Sequence, residues 1–458
     1  MLDSLRPEFV SCYAGGDEVS PTIDGLAREG LLFEQAIAPS AWTFPIMSSV
    51  FSGMLPTKHG AHDEHRVYDA PYPTLAEVLS RAGYDTAAFS DVPYVGPTTR
   101  LDRGFRTLSN QRVGQVSLWH KALKAAGRVQ RNLTGRYSKL NESRVLFGEA
   151  LRWLETRRDP ERPFFLYVHS DETHMPLLPP ARYRRRLAGL SARRMWEINQ
   201  DKQLFVSGQV EMTERDFDDL RKLARAELAF VDAWLGTLLE HFKRRGLYDN
   251  TLIIVAADHG DNFGEHGLLR HGLCLYDTLL RVPLVIRAPG AALKGRIAPL
   301  TRLIDLFPTI LRITGVEDEA AGEFQGQDLV AAIERDEFAG YAVAELYRPL
   351  QGIWQSRAPR FMDEFRRRYD RVLRSYRTAT HKLIWSSKGD HELFDLEADS
   401  GERRNLYAQQ PELAADLMSR LERWLGSFEH ADGSEPFQED ESAMDGSLVE
   451  RLRDLGYV

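Results

Sequence analysis

The sequence predicts an α/β protein: a three-layer αβα sandwich around a mostly parallel sheet, with a small α+β subdomain at the C-terminus. Uninterrupted apolar runs, among them PFFLYV at 163–168 and LIIVAA at 252–257, alternate with amphipathic helical segments up to about residue 340. Strands that are apolar throughout are typical of parallel sheets covered on both faces. From about residue 341 short segments separated by turn residues predict antiparallel hairpins. We therefore expect a main domain at 1–340 and a subdomain at 341–458.

Helix and strand signals can be placed in chain order. Ser20 and Pro21 begin a helix that ends at Gly30, and Thr74 with Glu77 forms a capping box for another. Further helices are expected at 143–158, 214–245, 303–315, 411–425 and 447–458, and strands at 84–90, 163–170, 251–258 and 281–287. Turns are expected at 388–390 and 399–401, and the basic segments 106–140 and 351–376 are expected to be solvated helices.

The composition is that of an ordinary globular protein. Lys and Arg number 59 against 67 Asp and Glu, a formal net charge of −8, which argues against nucleic acid as a partner. No stretch approaches the ~20 apolar residues of a membrane span, and no signal-peptide pattern is visible. Cys12 and Cys274 are the only cysteines, which favours a reducing, cytoplasmic location. The oligomeric state stays open.

Polar residues follow three of the predicted strands. Asp258 and His259 come after one apolar run, while His169, Asp171 and His174 follow another. Asp3 would follow a first strand of which only Met1 and Leu2 are present, and we expect part of that strand to be missing. Because ligands bind beyond the carboxyl ends of such strands, these side chains are expected to meet at one edge.

The segment AADHGDNFGEHGLLRHG, residues 256–272, carries the strongest chemical signal. It places Asp258, His259, Asp261, His266 and His271 within fourteen positions, more Asp and His than a polar loop requires. Mixed carboxylate and imidazole donors suit zinc, manganese or iron better than calcium, which takes oxygen ligands. We expect one or two divalent ions, zinc or manganese before calcium or magnesium.

Thr43, in SAWTFPIMSSVFSG, has two interpretations. It is expected to be the N-cap of a helix, a role that threonine often has. The same position aims the hydroxyl at a helix N-terminus, where anions bind, and a nearby metal would activate it as a nucleophile.

Six segments together resemble the sulfatase family of the alkaline phosphatase superfamily: residues 2–13, 20–61, 163–176, 246–286, 303–315 and 382–406. The resemblance runs in order through nearly the whole chain. It implies an alkaline-phosphatase-like fold, hydrolysis of sulfate or phosphate esters and a divalent metal. It does not specify the substrate, which is expected to be a small-molecule, glycan or lipid-headgroup ester.

The resemblance also implies roles for individual residues. Asp3 matches the first metal carboxylate, Asp258 and His259 match a metal-binding pair, and His174 matches a histidine that contacts substrate or leaving group. His271 falls where many sulfatases carry a lysine that binds the ester oxygens. Thr43 falls where sulfatases carry the cysteine or serine converted to formylglycine.

The departures from the family pattern favour a different nucleophile. Thr43 is not a substrate for that conversion, Met47 replaces the usual arginine, and Ser4 replaces a second aspartate. This leans toward the phosphodiesterase-like branch, in which a threonine lies between two metals. The implied assignments are a first metal at Asp3, Thr43, Asp258 and His259; a second metal at Asp171, His174 and His271; catalytic roles for Thr43, His174 and His271; and substrate contacts from Lys58, His59 and Arg270, each with a structural role as the alternative.

Four functional hypotheses remain open at this point. The leading one is a hydrolase of phosphate monoesters or diesters that uses Thr43 as nucleophile. The others are a sulfuric ester hydrolase without formylglycine, a transferase that passes a phosphoryl group from Thr43 to an alcohol, and a catalytically silent binding protein.

Overall fold

The computed structural model describes residues 1–15, 19–63, 65–110, 142–317, 324–348 and 368–428. The strands are β1 Leu31–Ile37, β2 Asp85–Ser90, β3 Thr107–Asn110, β4 Phe164–His169, β5 Ile253–Ala256, β6 Asn262–Phe263, β7 Leu269–Arg270, β8 Arg281–Arg287, β9 Gly295–Ile297, β10 Thr301–Arg302, β11 Ala342–Leu346, β12 Leu373–Arg377, β13 His381–Ser386 and β14 Glu392–Asp395. The helix predicted at 447–458 and most of the basic segments lie outside the described residues.

The α-helices are Ser11–Ala14, Pro21–Glu29, Thr43–Ser52, Pro56–His59, Leu75–Arg81, Glu142–Thr156, Ala181–Tyr183, Ala192–Glu197, Lys202–Val206, Glu214–Arg244, Asp277–Leu280, Leu306–Thr314, Leu329–Arg335 and Pro411–Leu425. Short 3-10 turns lie at Pro7–Phe9, Tyr248–Asn250, Glu265–Gly267, Pro289–Ala291 and Leu303–Asp305, with a π turn at Arg184–Ala188. None of the helices in the described ranges is both long and apolar enough to cross a membrane.

A single residue, Leu2, joins the two halves of the central sheet. One half is β3-β2-β4, all parallel, and the other is β10-β1-β8-β5 with β9 beside β1. Leu2 bridges in parallel to Ser170 after β4 and to Ala257 after β5. The mostly parallel sheet is confirmed, and the exception is β8, which runs antiparallel to both β1 and β5.

Helices pack on the sheet in two groups, which confirms the predicted sandwich. One group contains Pro21–Glu29, Glu142–Thr156 and Glu214–Arg244, and the other contains Thr43–Ser52, Leu75–Arg81 and Leu306–Thr314. The capping box of Thr74 and Glu77 is present as predicted.

The prediction that Thr43 caps its helix is wrong. Trp42, in extended conformation, is the N-cap, Thr43 is the first helical residue, and no side chain caps this end. The Thr43 hydroxyl is directed instead to His259, with 3.3 Å between Oγ1 and Nε2. The hydroxyl therefore contacts His259 and not a backbone N–H in the first turn of the helix. The whole helix Thr43–Ser52 is buried, so this end is held rigidly.

The C-terminal sheet β11-β12-β13-β14 is antiparallel, and the turn predicted at 388–390 joins β13 to β14. Helix Pro411–Leu425 packs on it through its apolar face. Buried polar contacts tie this sheet to the main domain. The Glu345 carboxylate accepts from Thr57 N at 3.0 Å, and Asp277 pairs with Lys382 at 2.7 Å and with Arg377 at 3.0 Å. A division at residue 340 stays a prediction.

An ion pair fastens the N-terminal segment to the loop that follows β5. Arg6 donates to the Glu265 carboxylate at 2.9 Å and to the Asp261 carbonyl at 3.1 Å. Phe263 N and Arg221 also donate to Glu265. Burial alone would raise the pKa of Glu265, but the Arg6 charge and these hydrogen bonds outweigh it and lower the pKa to about 2. The ion pair between Arg6 and Glu265 therefore helps to hold Asp3 close to Asp258.

We expect Glu265→Gln to lower the free energy of unfolding at pH 7 by about 1–2 kcal/mol, because a buried charge pair loses one partner. The Glu265 pKa is about 2 folded and 4.5 in its ordinary state, so its contribution is complete above pH 4.5 and is lost as pH falls toward 2. Urea unfolding measured from pH 7 down to pH 2 tests this. Glu8→Gln, at a side chain 48% exposed, is the control, and equal effects in both variants would contradict the prediction.

Candidate active site

The carboxylates of Asp3 and Asp258 meet where Leu2 joins β4 to β5. Asp3 N donates to Ser170 O at 2.9 Å, and Leu2 N donates to Ala256 O at 2.9 Å, so both aspartates leave the same edge of the sheet. Both side chains are buried. The rule that strand ends gather polar residues at one edge therefore describes this site correctly.

His259 and Thr43 complete a compact cluster with these two carboxylates. His259 Nε2 lies 3.5 Å from Asp3 Oδ1, 3.6 Å from Asp258 Oδ2 and 3.3 Å from Thr43 Oγ1. His259 Nδ1 lies 2.9 Å from the carbonyl oxygen of Gly260. Because that oxygen only accepts, the proton is assigned to Nδ1, and Nε2 presents its lone pair to the cluster. The structure thus brings together the four residues predicted for the first metal.

Ser4 donates one hydrogen bond to each of the two carboxylates. Its backbone N–H donates to Asp258 Oδ1 at 3.2 Å and its hydroxyl donates to Asp3 Oδ1 at 3.1 Å. Ser4 has φ of 60°, an unusual left-handed conformation for a residue with a side chain. The serine that replaces the family's second aspartate therefore orients the carboxylates through hydrogen bonds.

The electrostatics of the cluster suit a cation. Burial raises the pKa of Asp3, and the Asp258 charge raises it further. Burial also raises the pKa of Asp258 and lowers that of His259. Among the described residues neither aspartate forms an ion pair with a lysine or arginine. Two buried carboxylates facing a neutral imidazole are costly without a positive charge between them.

The three residues predicted for a second metal do not form one ligand group in the described part of the chain. His271 Nδ1 lies 2.6 Å from Asp261 Oδ1, and His271, Asp261 and His259 form a group that a metal could use. His174 instead lies beside Arg270, with 3.1 Å between Nε2 and Nη2. Asp171 N donates to Asp91 Oδ1 at 2.9 Å. A second metal stays a prediction.

The predicted substrate contacts have different surroundings. His59 is buried, its Nε2 bonds to Ser49 Oγ at 2.9 Å, and its Nδ1 accepts from Ala61 N at 3.0 Å. Both of its ring nitrogens are therefore used within the protein. Lys58 lies over the Tyr72 ring at 5.5 Å. Arg270 is buried beside His174, a predicted catalytic residue, so its position fits a substrate contact better than those of Lys58 and His59.

Sequence reasoning missed two buried residues that contact the site and a third nearby. Asp261, in the loop signal but given no role, accepts from His271, and Asp91 after β2 holds the backbone of Asp171. Lys202 donates from its own short helix to the His271 carbonyl at 3.0 Å. Asp91 follows a predicted strand and could have been found by the strand-end rule. Lys202 lies 69 residues before His271 and carries no local signal.

Comparisons with known proteins identify the family. The family model described as Sulfatase matches residues 1–316, and that described as N-sulphoglucosamine sulphohydrolase, C-terminal, matches residues 264–427. The choline-sulfatase of Rhizobium meliloti (strain 1021) is 26% identical over 456 residues, covering 90% of this chain and 82% of that protein. Bos taurus arylsulfatase K is 24% identical, covering 89% and 78%.

Solved structures show the same fold. The phosphonate monoester hydrolase of Agrobacterium radiobacter has a TM-score of 0.72 at 23% identity and covers 93% of this chain and 94% of its own. A structure described as BT4656 in complex with its substrate D-glucosamine-2-N,6-O-disulfate has a TM-score of 0.69 at 19% identity, covering 93% and 96%.

The fold and the site define a hydrolase that acts on ester bonds. More particularly, the chain belongs to the sulfatase family, whose model covers well over half of it. Members of this family generally bind a divalent metal, and the cluster around Asp3 and Asp258 offers ligands for one.

We expect Asp258→Asn to weaken metal binding and turnover together, because the substitution removes one of the two buried negative charges. Metal content after dialysis, measured by elemental mass spectrometry, and the hydrolysis rate are the readouts. Asp249→Asn, at a side chain 92% exposed, is the matched control. Unchanged metal content in Asp258→Asn would contradict the ligand assignment.

Proposed function

We propose that this protein is a metal-dependent hydrolase of phosphate or sulfate esters that uses unmodified Thr43 as its nucleophile, with phosphate monoesters or diesters favoured. The observation that carries the proposal is the position of the Thr43 hydroxyl. It lies 3.3 Å from His259 Nε2 and has no role in capping its helix. A buried hydroxyl at a helix N-terminus among carboxylates and imidazoles is well placed to attack an anionic ester.

The residues present fit a divalent metal. Asp3 Oδ1, Asp258 Oδ2 and Thr43 Oγ1 all lie within 3.6 Å of His259 Nε2. One buried carboxylate oxygen, Asp258 Oδ2, has no hydrogen-bond partner among the described residues. A metal bound there would lower the pKa of the hydroxyl and stabilise charge on the ester oxygens. The pattern of donors supports zinc or manganese before calcium.

The chain's own residues supply the remaining chemistry. Thr43 Oγ1 bonds to phosphorus or sulfur as the bond to the departing oxygen breaks, and the hydroxyl proton passes to Asp258. The departing oxygen takes a proton, which we assign to His174, close to His271 at 5.1 Å between ring centroids. Water then attacks the Thr43 ester and gives one proton to His174, while the proton on Asp258 returns to Oγ1 as phosphate or sulfate is released. Arg270 is proposed to hold the non-bridging oxygens.

Sulfate esters are the second candidate substrate. Two of the relatives are named choline-sulfatase and arylsulfatase K. The formylglycine precursor is absent from this chain, so a sulfatase reaction would also use the Thr43 hydroxyl. Both candidates therefore share a nucleophile and differ in the ester.

A panel of aryl phosphate, bis-aryl phosphate, aryl phosphonate and aryl sulfate, assayed with zinc, manganese or calcium, distinguishes the two candidates. A phosphate ester is expected to give the highest kcat/KM. A sulfate preference would select the second candidate. Metal-loaded protein inactive on the whole panel would contradict both and favour the silent binding protein.

Thr43→Ala is expected to lower kcat at least about a thousandfold, because the variant has no oxygen to attack the ester. The fold is expected to persist, which circular dichroism and thermal unfolding check. Thr43→Ser keeps a hydroxyl at the same position and is expected to retain measurable turnover. A Thr43→Ala variant with most of its activity would exclude Thr43 as the nucleophile.

A further inference from the structure

His169, the last residue of β4, has a buried ring nitrogen with no hydrogen-bond partner among the described residues. The side chain is 0% exposed, and His169 Nε2 has no hydrogen-bond partner in the described residues. The nitrogen lies 3.9 Å from Asp258 Oδ2, which also lacks a partner. Ligand atoms of His169, Asp3 and Asp258 all lie within 4.8 Å of one another. Buried polar atoms in proteins are nearly always satisfied, so two facing each other need an explanation.

The neighbours of His169 assign its tautomer. Tyr167 Oη donates to Met47 Sδ at 3.4 Å and lies 2.9 Å from His169 Nδ1. The tyrosine oxygen can accept the Nδ1 proton when its own proton is directed at the sulfur. In that tautomer Nε2 carries the lone pair and faces Asp258. Ligating histidines are usually held in this way, with the second nitrogen donating to an outer oxygen.

No direct hydrogen bond to Asp258 explains this arrangement. The distance of 3.9 Å exceeds that of a hydrogen bond. A lone pair and a carboxylate oxygen that face each other at this distance suit a cation between them.

We propose that His169 Nε2 is a ligand of the metal held by Asp3, Asp258, His259 and Thr43, an inference that rests on the proposed function. Ser4 carries no carboxylate, and it donates to both Asp258 and Asp3. His169 Nε2 supplies a nitrogen donor on the Asp258 side of the cluster. The donor set then has two carboxylates, two imidazoles and a hydroxyl, which favours zinc or manganese over calcium or magnesium.

The test counts nitrogens on the bound metal. Purified full-length protein is stripped and loaded with Mn²⁺, and pulsed EPR measures the nitrogen couplings. We expect two imidazole nitrogens in the wild type and one in His169→Gln. Zinc affinity, from competition with a chelating indicator, is expected to fall at least about tenfold in His169→Gln, whereas the smaller affinity for calcium changes little. His241→Gln, a buried histidine on helix Glu214–Arg244, is the matched control.

Tyr167→Phe provides a second test in case the His169→Gln variant does not fold. It keeps the imidazole but removes the oxygen that holds Nδ1, so zinc affinity is expected to fall about tenfold with both nitrogens still coupled. Two nitrogens and unchanged zinc affinity in a folded His169→Gln would overturn the ligand assignment alone. A wild-type protein that binds no metal would overturn the metal-dependent function and this assignment with it.

Discussion

The backbone pairing of Leu2 is the constraint on which the rest of the structure depends. Through this residue β4 and β5 belong to one sheet, and the residues that follow each of them emerge side by side. Asp3 and Asp258 are therefore set by main-chain hydrogen bonds rather than by flexible loops. Arg6 and Glu265 secure the same segment one turn further on. A reaction centre built on strand ends keeps its geometry within the narrow tolerance that catalysis requires.

Burial determines the chemistry of this edge as much as the identity of the residues does. In water, carboxylates and imidazoles would be solvated separately. Here, deprived of solvent, Asp3 resists ionisation while His259 and His169 resist protonation. The cluster therefore lacks a positive charge, which a divalent ion would supply. The same ion would bring the hydroxyl of Thr43 into its reactive form.

Much of this arrangement could be predicted from the sequence, because apolar runs locate the strands and ligands bind beyond the carboxyl ends of parallel strands. The meeting of Asp3, Asp258 and His259 followed from that rule, and Thr43 from family resemblance. The prediction that Thr43 caps its helix was wrong, because its hydroxyl contacts His259, which is distant in the sequence, and not a backbone N–H of its own helix. Lys202 and the position of His174 beside Arg270 depend on how distant segments fold back. No periodicity encodes such contacts.

The buried glutamate at position 345 has a consequence for how the chain unfolds. Its carboxylate is shared by Thr57, from the segment following helix Thr43–Ser52, and by Arg374 of the C-terminal sheet. Asp277 is held in the same way by Lys382 and Arg377. Detaching either part would strand charges in an apolar interior. The two parts are therefore expected to unfold as one cooperative unit, so that the stability of the C-terminal sheet limits the stability of the site.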